Sequence, residues 1–184
     1  MRFRFFTYVI TADIIKMYRQ ILMHPSQTRL QRIWRNDPSA NVDTYKLTTV
    51  TYNITSASFL ATRCLKHLAE QHAHQFTRGS ACVLRDFYVD DMLTGADTVD
   101  ELKLIYETIQ LLKLGAFELN KWASNCPELL EDNRDRVPVI IRDNVADSYI
   151  LGMQWNQCQD TSNFSANLIQ KPCCIKMDHT FRGR

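Results

Sequence analysis

Two β-prone runs joined by a pair of adjacent carboxylates constrain the fold of this chain more than any other feature. Residues 87–89 and 92–96 are mainly aromatic, β-branched or apolar, and Asp90 and Asp91 lie between them. Two polar residues between such runs predict a tight hairpin with the acids at its tip. Neighbouring carboxylates repel each other, so keeping both ionised requires a cation beside them, and oxygen ligands favour a hard ion such as Mg²⁺. An ordinary acidic turn is the simpler explanation of the pair taken alone.

A third acid follows an apolar run near the beginning of the sequence. Residues 5–12 are rich in aromatic and β-branched residues, which predicts a strand over residues 2–12 that ends just before Asp13. A strand-end acid beside a hairpin acid pair makes a cluster of three carboxylates. Such a cluster can hold two divalent ions about 4 Å apart, an arrangement that supports phosphoryl and nucleotidyl transfer.

The remaining sequence patterns predict an α+β fold. The predicted helices lie at about 25–33 with Ser26 as N-cap, at 56–75, and from a capping box at Thr98 and Glu101 to a helix end near Gly115. The predicted strands lie at 45–50, 83–89, 92–94, 117–122 and 149–156, the last as a strand or a hairpin, with mainly loop at 126–147. This alternation favours an antiparallel sheet with helices packed on one face.

Composition describes a globular domain rather than a dedicated nucleic-acid binder. The chain of 184 residues is 45% apolar and 23% charged, enough for one domain with a core. Its net charge is only +2, with a pI of about 8.2, which excludes a strongly basic binding domain. Basic residues cluster locally at Lys16 and Arg19 and at Arg29, Arg32 and Arg35, where a solvated helix face is a simpler interpretation than phosphate contacts.

Cysteine spacing and hydropathy favour an intracellular, cytoplasmic protein. The six cysteines form no Cys-x-x-Cys pair, so neither a zinc ribbon nor a redox motif is indicated. Arg2 and Arg4 precede an apolar run as in a signal peptide, but the run is short and ends at Asp13, so we expect no secretion. No apolar run approaches the length of a transmembrane helix, and no membrane partner is expected.

Six short phrases follow one another along the sequence. They are Ala12-Asp13-Ile14 with Lys16 to Ile21, Thr49 to Tyr52, Ser56-Ala57 with Phe59 to Arg63, Phe87 to Ala96, Lys121 to Asn125, and Leu151 to Asn156. In this order they resemble the palm of a reverse transcriptase, and more closely that of Pao/BEL-type LTR retrotransposons. Each phrase alone is weak, whereas the ordered set is specific. The resemblance implies a partial reverse transcriptase domain at residues 1–165, with residues 166–184 unassigned.

The resemblance implies an RNA-directed DNA polymerase that uses two Mg²⁺ or Mn²⁺ ions. Asp13, Asp90 and Asp91 correspond to the catalytic metal ligands. Lys121 corresponds to a lysine that protonates pyrophosphate as it leaves, with a surface lysine as the alternative. The implied partners are an RNA or DNA template with its primer, deoxynucleoside triphosphates and the remainder of a retrotransposon polyprotein, with association with particles if the protein is expressed.

The resemblance also implies four substrate-binding residues. Tyr18 corresponds to an aromatic gate that excludes a sugar 2′-hydroxyl, with a core tyrosine as the alternative. Tyr88 corresponds to a position near the primer end, and Tyr52 belongs to the nucleotide-binding phrases. Gly152 corresponds to a glycine that lets the backbone approach the primer strand.

Several positions depart from the family pattern. Ile15 occupies a usually acidic position, Asn53 and Ala116 replace glycines, and Ser58 replaces a proline. Asn53 can still adopt a left-handed backbone conformation. Only twelve residues precede Asp13, so we expect incomplete fingers. The alternative function is therefore a catalytically inactive retrotransposon remnant that binds nucleic acid weakly at most. An unrelated two-metal nuclease or phosphatase would not require counterparts of Tyr18 or Gly152.

Overall fold

A four-stranded antiparallel sheet forms the centre of the protein. The structure is a computed structural model that describes residues 2–35, 43–98, 101, 103–126, 147–151, 153–156 and 161–163. Strands β1 to β9 span Tyr8–Ile14, Arg32–Arg35, Asp43–Lys46, Phe87–Tyr88, Asp91–Ala96, Leu119–Ser124, Asp147–Ile150, Met153–Asn156 and Thr161–Asn163. Helices α1 to α4 span Met17–Gln20, Ala57–Gln71, Thr77–Arg85 and Lys103–Leu114. The central sheet has the strand order β4-β5-β1-β6, while β2-β3 and β7-β8-β9 form two smaller sheets. The predicted α+β class is confirmed.

Helices cover one face of the central sheet. Ile10, Ala12 and Ile14 alternate along β1 and are at most 4% exposed. They share the main core with buried side chains from α2, α3 and α4, including Leu65 and Leu112. Alternate residues of a strand point to opposite faces, so this burial pattern fixes which face of β1 packs on the helices. Burying a side chain of the size of Ile or Leu stabilises the fold by about 1.5–3 kcal/mol.

The opposite face of the sheet is covered only in part. Phe3, Val9, Ala123 and Trp155 form a second buried cluster there. The Trp155 ring, on β8, meets the Phe3 ring edge-on with centroids 6.4 Å apart. Asp13 lies on the same face as Val9, four residues and about 13 Å further along β1. Its side chain remains 22% exposed, so the Asp13 end of this face is open to solvent.

The N-terminal third differs from the sequence-based predictions in two places. Arg2–Phe5 forms a 3₁₀ helix, and the first strand begins only at Tyr8. The helix predicted at 25–33 is wrong: a 3₁₀ turn at Thr28–Leu30 leads directly into β2. The Ser26 hydroxyl hydrogen-bonds the His24 ring at 2.8 Å instead of capping a helix. The β-prone Ile33 and Trp34 pair with β3, and this pairing replaces the helix.

The strand predicted at 83–89 is also mostly wrong. Residues 77–85 form α3, and only Phe87–Tyr88 remain extended as β4. Cys82 and Val83 are buried in the main core, which accounts for the apolar run without a strand. The helix predicted at 56–75 ends at Gln71, and β3 and β6 lie at 43–46 and 119–124 instead of 45–50 and 117–122. The alternative of a hairpin at 149–156 is confirmed by the pairing of β7 with β8.

Helix α4 is terminated by a left-handed residue that is not glycine. The Phe117 N–H donates to Leu112 O at 3.0 Å and the Ala116 N–H donates to Lys113 O at 3.0 Å, the two bonds of a Schellman motif. Ala116 has φ 59°, so the left-handed position falls one residue after the predicted Gly115. At the other end, the Thr98 hydroxyl accepts from the Glu101 N–H at 3.4 Å, as the capping box predicts. The Glu101 carboxylate accepts from the Asp97 N–H instead of from Thr98.

Candidate active site

Two of the three predicted acids face each other across neighbouring strands. Asp13 at the end of β1 pairs directly with Asp91 at the start of β5. Directly paired residues of an antiparallel ladder share a face, and their Cβ atoms lie about 4.5–5.5 Å apart. Both carboxylates therefore project from the open end of the sheet face that the helices do not cover.

The third acid lies in the hairpin turn between β4 and β5. Tyr88 pairs with Asp91, so the two-residue turn consists of Val89 and Asp90. The hairpin is confirmed, although Asp91 belongs to the strand and not to the tip. The backbone carbonyl of Asp90 accepts a hydrogen bond from the Ile14 N–H at 2.9 Å, which ties the turn to the residue after Asp13.

The turn is backbone-strained at a β-branched residue. Val89 has φ 57°. A left-handed conformation is a genuine outlier for Val, and the corresponding turns usually contain Gly, Asn or Asp. Strain of this kind persists only where the surrounding structure holds it, and here the Ile14–Asp90 bond and the β4–β5 pairing do so.

A β-bulge aims Lys121 at the acid cluster. Thr11 pairs with Ala123 and Asp13 with Asn120, so β6 carries one extra residue opposite β1. Lys121 lies in this bulge with φ 53°, and its side-chain ammonium contacts the Asp13 carboxylate. Bulges next to functional sites commonly redirect a side chain in this way. Although the Lys121 side chain is 59% exposed, it is paired with an acid and is not a free surface lysine.

The electrostatics of the cluster favour a bound cation. Burial raises the pKa of the Asp90 and Asp91 carboxyl groups above the ordinary value of 3.8. The charge of Asp13 raises the pKa of both further, and that of Asp90 raises the pKa of Asp91. Two interactions oppose these effects. A hydrogen bond from its own backbone N–H lowers the pKa of Asp90, and the charge of Lys121 lowers the pKa of both acids.

The acids have the right chemistry for Mg²⁺ or Mn²⁺, but their present arrangement is not a finished metal site. Three carboxylates with mutual repulsion are the oxygen donors that hard divalent ions prefer. Among the described residues, no group of three or more His, Cys, Asp or Glu side chains is arranged to hold a metal ion as it stands. Lys121 contacts one of the two Asp13 carboxylate oxygens, Oδ2, so an ion that binds this oxygen would compete with Lys121.

Tyr18 is held in place by two other side chains. It lies in α1, is 9% exposed, and its hydroxyl hydrogen-bonds the Ser58 hydroxyl at 3.1 Å. The Tyr52 ring contacts it edge-on with centroids 4.7 Å apart. The burial of Tyr18 agrees with the alternative that it is a core residue. Its fixed ring is also compatible with the predicted exclusion of a sugar 2′-hydroxyl. Asn53, which follows Tyr52 in the sequence, adopts φ 66°, a left-handed backbone conformation that is also available to glycine.

The other predicted substrate residues are exposed or lie outside the described part of the chain. Tyr88 is 64% exposed and pairs directly with Asp91, so it lies beside the acid cluster. Tyr52 is 49% exposed. Gly152 lies outside the described residues, and so do residues 127–146 of the loop predicted at 126–147.

Ser58 and Asp86 make contacts that the sequence does not reveal. In the sequence Ser58 is notable only as a departure from a family proline, yet it holds the Tyr18 hydroxyl. Asp86 lies just before the acidic hairpin, is 7% exposed, and accepts hydrogen bonds from Thr94 at 2.9 Å and from two nitrogens of the Arg85 guanidinium. Because Thr94 pairs with Ile10 on the helix-covered face, Asp86 is a structural acid outside the cluster.

Comparisons with known proteins leave the function to be argued from these residues. The sequence matches no model of a known protein family, and a search of curated proteins gives no match. In the described part of the chain, no helix is both long and apolar enough to cross a membrane.

Proposed function

We propose that this chain is the palm of an RNA-directed DNA polymerase of the Pao/BEL retrotransposon type. The observation that supports this best is the register that sets Asp13 opposite Asp91, with Asp90 in the adjoining turn bonded to Ile14. It brings together a strand-end acid and a hairpin acid pair from distant parts of the sequence. The reaction is transfer of a deoxynucleotide from its triphosphate to a primer 3′-hydroxyl, with release of pyrophosphate.

The acids hold the metal ions in this proposal. Asp13, Asp90 and Asp91 supply the carboxylate ligands. Burial, and after it repulsion from the neighbouring acids, raises the pKa of Asp90 and Asp91, and bound cations would relieve that repulsion. Two divalent ions bound there would activate the primer hydroxyl and stabilise the charge on the transferred phosphoryl group. Lys121, released from Asp13, is a positively charged donor that can protonate the departing pyrophosphate.

The aromatic residues act on substrate position. The Tyr18 ring, held by Ser58 and Tyr52, leaves no room for a 2′-hydroxyl and so selects deoxynucleotides. Tyr88 contacts the primer end beside Asp91, and Gly152 allows backbone approach to the primer strand. The partners are an RNA or DNA template with its primer, deoxynucleoside triphosphates and the remainder of the polyprotein. We place the reaction in the cytoplasm.

Primer extension on an RNA template with Mg²⁺ or Mn²⁺ tests the proposal. The parent chain is expected to extend the primer, and Asp90→Asn with Asp91→Asn to reduce extension by on the order of 100-fold or more, because stabilisation of the developing charge is lost. Glu70→Gln is the matched control, since it removes an exposed carboxylate from α2, away from the hairpin. Equal extension by the parent and the double variant would contradict the assignment.

A catalytically inactive remnant is the second candidate. Two observations favour it. The Lys121 ammonium group contacts the Asp13 carboxylate, and among the described residues no three His, Cys, Asp or Glu side chains are arranged to hold a metal ion. This candidate predicts a folded chain, verified by circular dichroism, that does not extend a primer with either metal ion and at most binds nucleic acid weakly. Metal-dependent extension that is lost in the double variant would exclude it.

A further inference from the structure

The β-bulge in β6 turns two large side chains of this strand towards the helices. Leu119 pairs with Ile14, and both are buried in the main core. In a regular strand a residue three positions further on would point to the opposite face, yet Trp122 is buried in the same core. The extra residue of the bulge resets the alternation, so that Ala123 pairs with Thr11 on the other face. Leu119 and Trp122 therefore lie on the face that the helices cover.

A cavity of about 320 Å³ lies between these two side chains and the C-terminal end of α4. Five of the residues that line it are apolar and buried: Ile109, Leu112, Phe117, Leu119 and Trp122. The other three, Lys113, Ala116 and Glu118, are exposed, so the mouth of the cavity lies among them. The mouth therefore carries one cation, one anion and a single methyl group, which leaves room for a ligand to enter.

Trp122 brings an unused hydrogen-bond donor to this cavity. The residue is 5% exposed, and its indole Nε1–H is buried without an acceptor among the described residues. Buried polar groups are nearly always hydrogen-bonded, because an unpaired donor has given up its bonds to water and gained none in return. A ligand that fills the cavity can supply the missing acceptor.

We propose that this cavity binds a small, uncharged aromatic molecule that carries a hydrogen-bond acceptor. The acceptor lies against the Trp122 N–H, and the rings pack against the apolar walls. Since the two charges at the mouth are opposite, they favour neither an anion nor a cation. An apolar cavity of about 150 Å³ takes up benzene, so one of about 320 Å³ suits a molecule of two fused rings.

The inference goes beyond the proposed catalysis. The cavity lies on the face of the sheet that the helices cover, whereas Asp13 and Asp91 project from the opposite face. Binding is measured without primer, template or turnover, so the failure of the polymerase proposal would leave this inference standing.

NMR spectroscopy of the full chain, isotope-labelled on nitrogen, tests the inference with methyl naphthyl ketone as the probe. The three tryptophans each give one indole N–H signal. The ketone is expected to move the Trp122 signal and to leave those of Trp34 and Trp155 in place, because only Trp122 lines the cavity. A Trp122 signal that does not respond to the ketone would overturn the inference.

A matched pair of ligands separates the hydrogen bond from general hydrophobicity. Isopropenylnaphthalene has the shape of the ketone, but its C=CH₂ group replaces the C=O and accepts no hydrogen bond. Trp122→Phe keeps an aromatic ring and removes the N–H, so it is expected to lower the ratio of ketone affinity to alkene affinity roughly 2- to 10-fold. Titrations that follow the ligand signals measure both affinities. The same ratio in the parent and the variant would contradict the role of the N–H.

A variant that fills the cavity tests where the ligand binds. Ile109→Phe adds volume to the lining and is expected to abolish binding of both ligands. Ile105→Phe makes the same change one turn earlier on α4, at a buried residue outside the lining, and should bind as the parent does. Unchanged Trp34 and Trp155 signals verify that both variants are folded.

Two further results would overturn the inference. The first is binding by Ile109→Phe that equals binding by the parent. The second is a Trp122 signal that moves with protein concentration in the absence of any ligand, because a second copy of the chain would then fill the cavity.

Discussion

The contact between Lys121 and Asp13 makes this lysine a tethered counter-ion of the acid cluster. Its ammonium group contacts the Asp13 carboxylate and lowers the pKa of Asp90 and Asp91. A divalent ion bound to Asp13 Oδ2 would use the same oxygen, and its positive charge would repel the Lys121 ammonium group. Binding of the ion and the contact between Lys121 and Asp13 are therefore expected to oppose each other.

Lys121→Met is expected to lower the Tm of the metal-free protein and to enlarge the rise in Tm caused by Mn²⁺. The cluster loses its counter-charge, at a cost of about 1 kcal/mol or less for a largely exposed ion pair, or about 2–4 °C. The metal ion then binds without competition and stabilises the folded state more. Differential scanning fluorimetry with and without Mn²⁺ measures both effects. Lys113→Met, on the exposed end of α4, should leave the Mn²⁺ response as in the parent; an unchanged response in Lys121→Met would refute the competition.

Asp91→Asn is expected to stabilise the metal-free protein at pH 7. The folded state raises the pKa of Asp91 above 3.8, so it binds the proton more tightly than the unfolded state does. The resulting stability is complete below pH 3.8 and is lost as the pH rises through the folded pKa. Asparagine carries no charge and avoids that loss, and the gain is small because the group is partly exposed and screened by solvent. Urea unfolding at pH 4 and pH 7 should show a larger gain at pH 7, and a gain that did not grow with pH would rule out the charge of Asp91 as its origin.

At the scale of single elements, the backbone at the end of α4 is strained in a way that a glycine would relieve. Ala116 occupies the left-handed position of the Schellman motif, where an L side chain costs about 1–2 kcal/mol. Ala116→Gly is expected to raise the free energy of unfolding by about 1 kcal/mol, seen as a higher urea midpoint with unchanged slope.

Gly115→Ala is the informative comparison for that prediction. A Cβ at Gly115 would lie 2.7 Å from the Leu68 side chain, so this neighbouring substitution should destabilise the protein. If Ala116→Gly also destabilised it, the left-handed strain could not be the dominant effect at this helix end.

Local patterns predict some elements well and others poorly for physical reasons. The presence of the β4–β5 hairpin and the C-terminal half of α4 are predictable because acids between two apolar runs and apolar helical spacing are local signals. The turn itself falls at Val89 and Asp90, one residue before the predicted acid pair. Helix α3 is not predictable from its own sequence, because another helix caps its N-terminus. The Glu107 carboxylate on α4 accepts hydrogen bonds from the Arg78 and Gly79 N–H groups at 2.9 and 3.2 Å. A Cβ at Gly79 would lie 2.7 Å from the Glu107 backbone, so this glycine lets α3 and α4 pack closely.

At the scale of the whole molecule, the sequence predicts the members of the acid cluster but not their arrangement. A predicted strand end identifies Asp13, and a predicted hairpin identifies Asp90 and Asp91. The pairing of Asp13 with Asp91 and the bulge at Lys121 depend on contacts between strands distant in sequence, which no local pattern records. For the same reason the sequence does not predict that Arg32 faces Lys46, since its local pattern there favours a helix.

The alternation along β1 joins folding and site assembly into one event. A slip of one residue in its pairing with β5 would turn Asp13 into the helix-lined core and expel Ile14 into water. Burial of Ile10, Ala12 and Ile14 therefore selects the one register in which Asp13 meets Asp91. Burial of the core therefore also selects the correct alignment of the acids. Each molecule that completes its core has aligned Asp13 with Asp91, so the folded fraction of a sample equals its fraction of correctly aligned acid pairs.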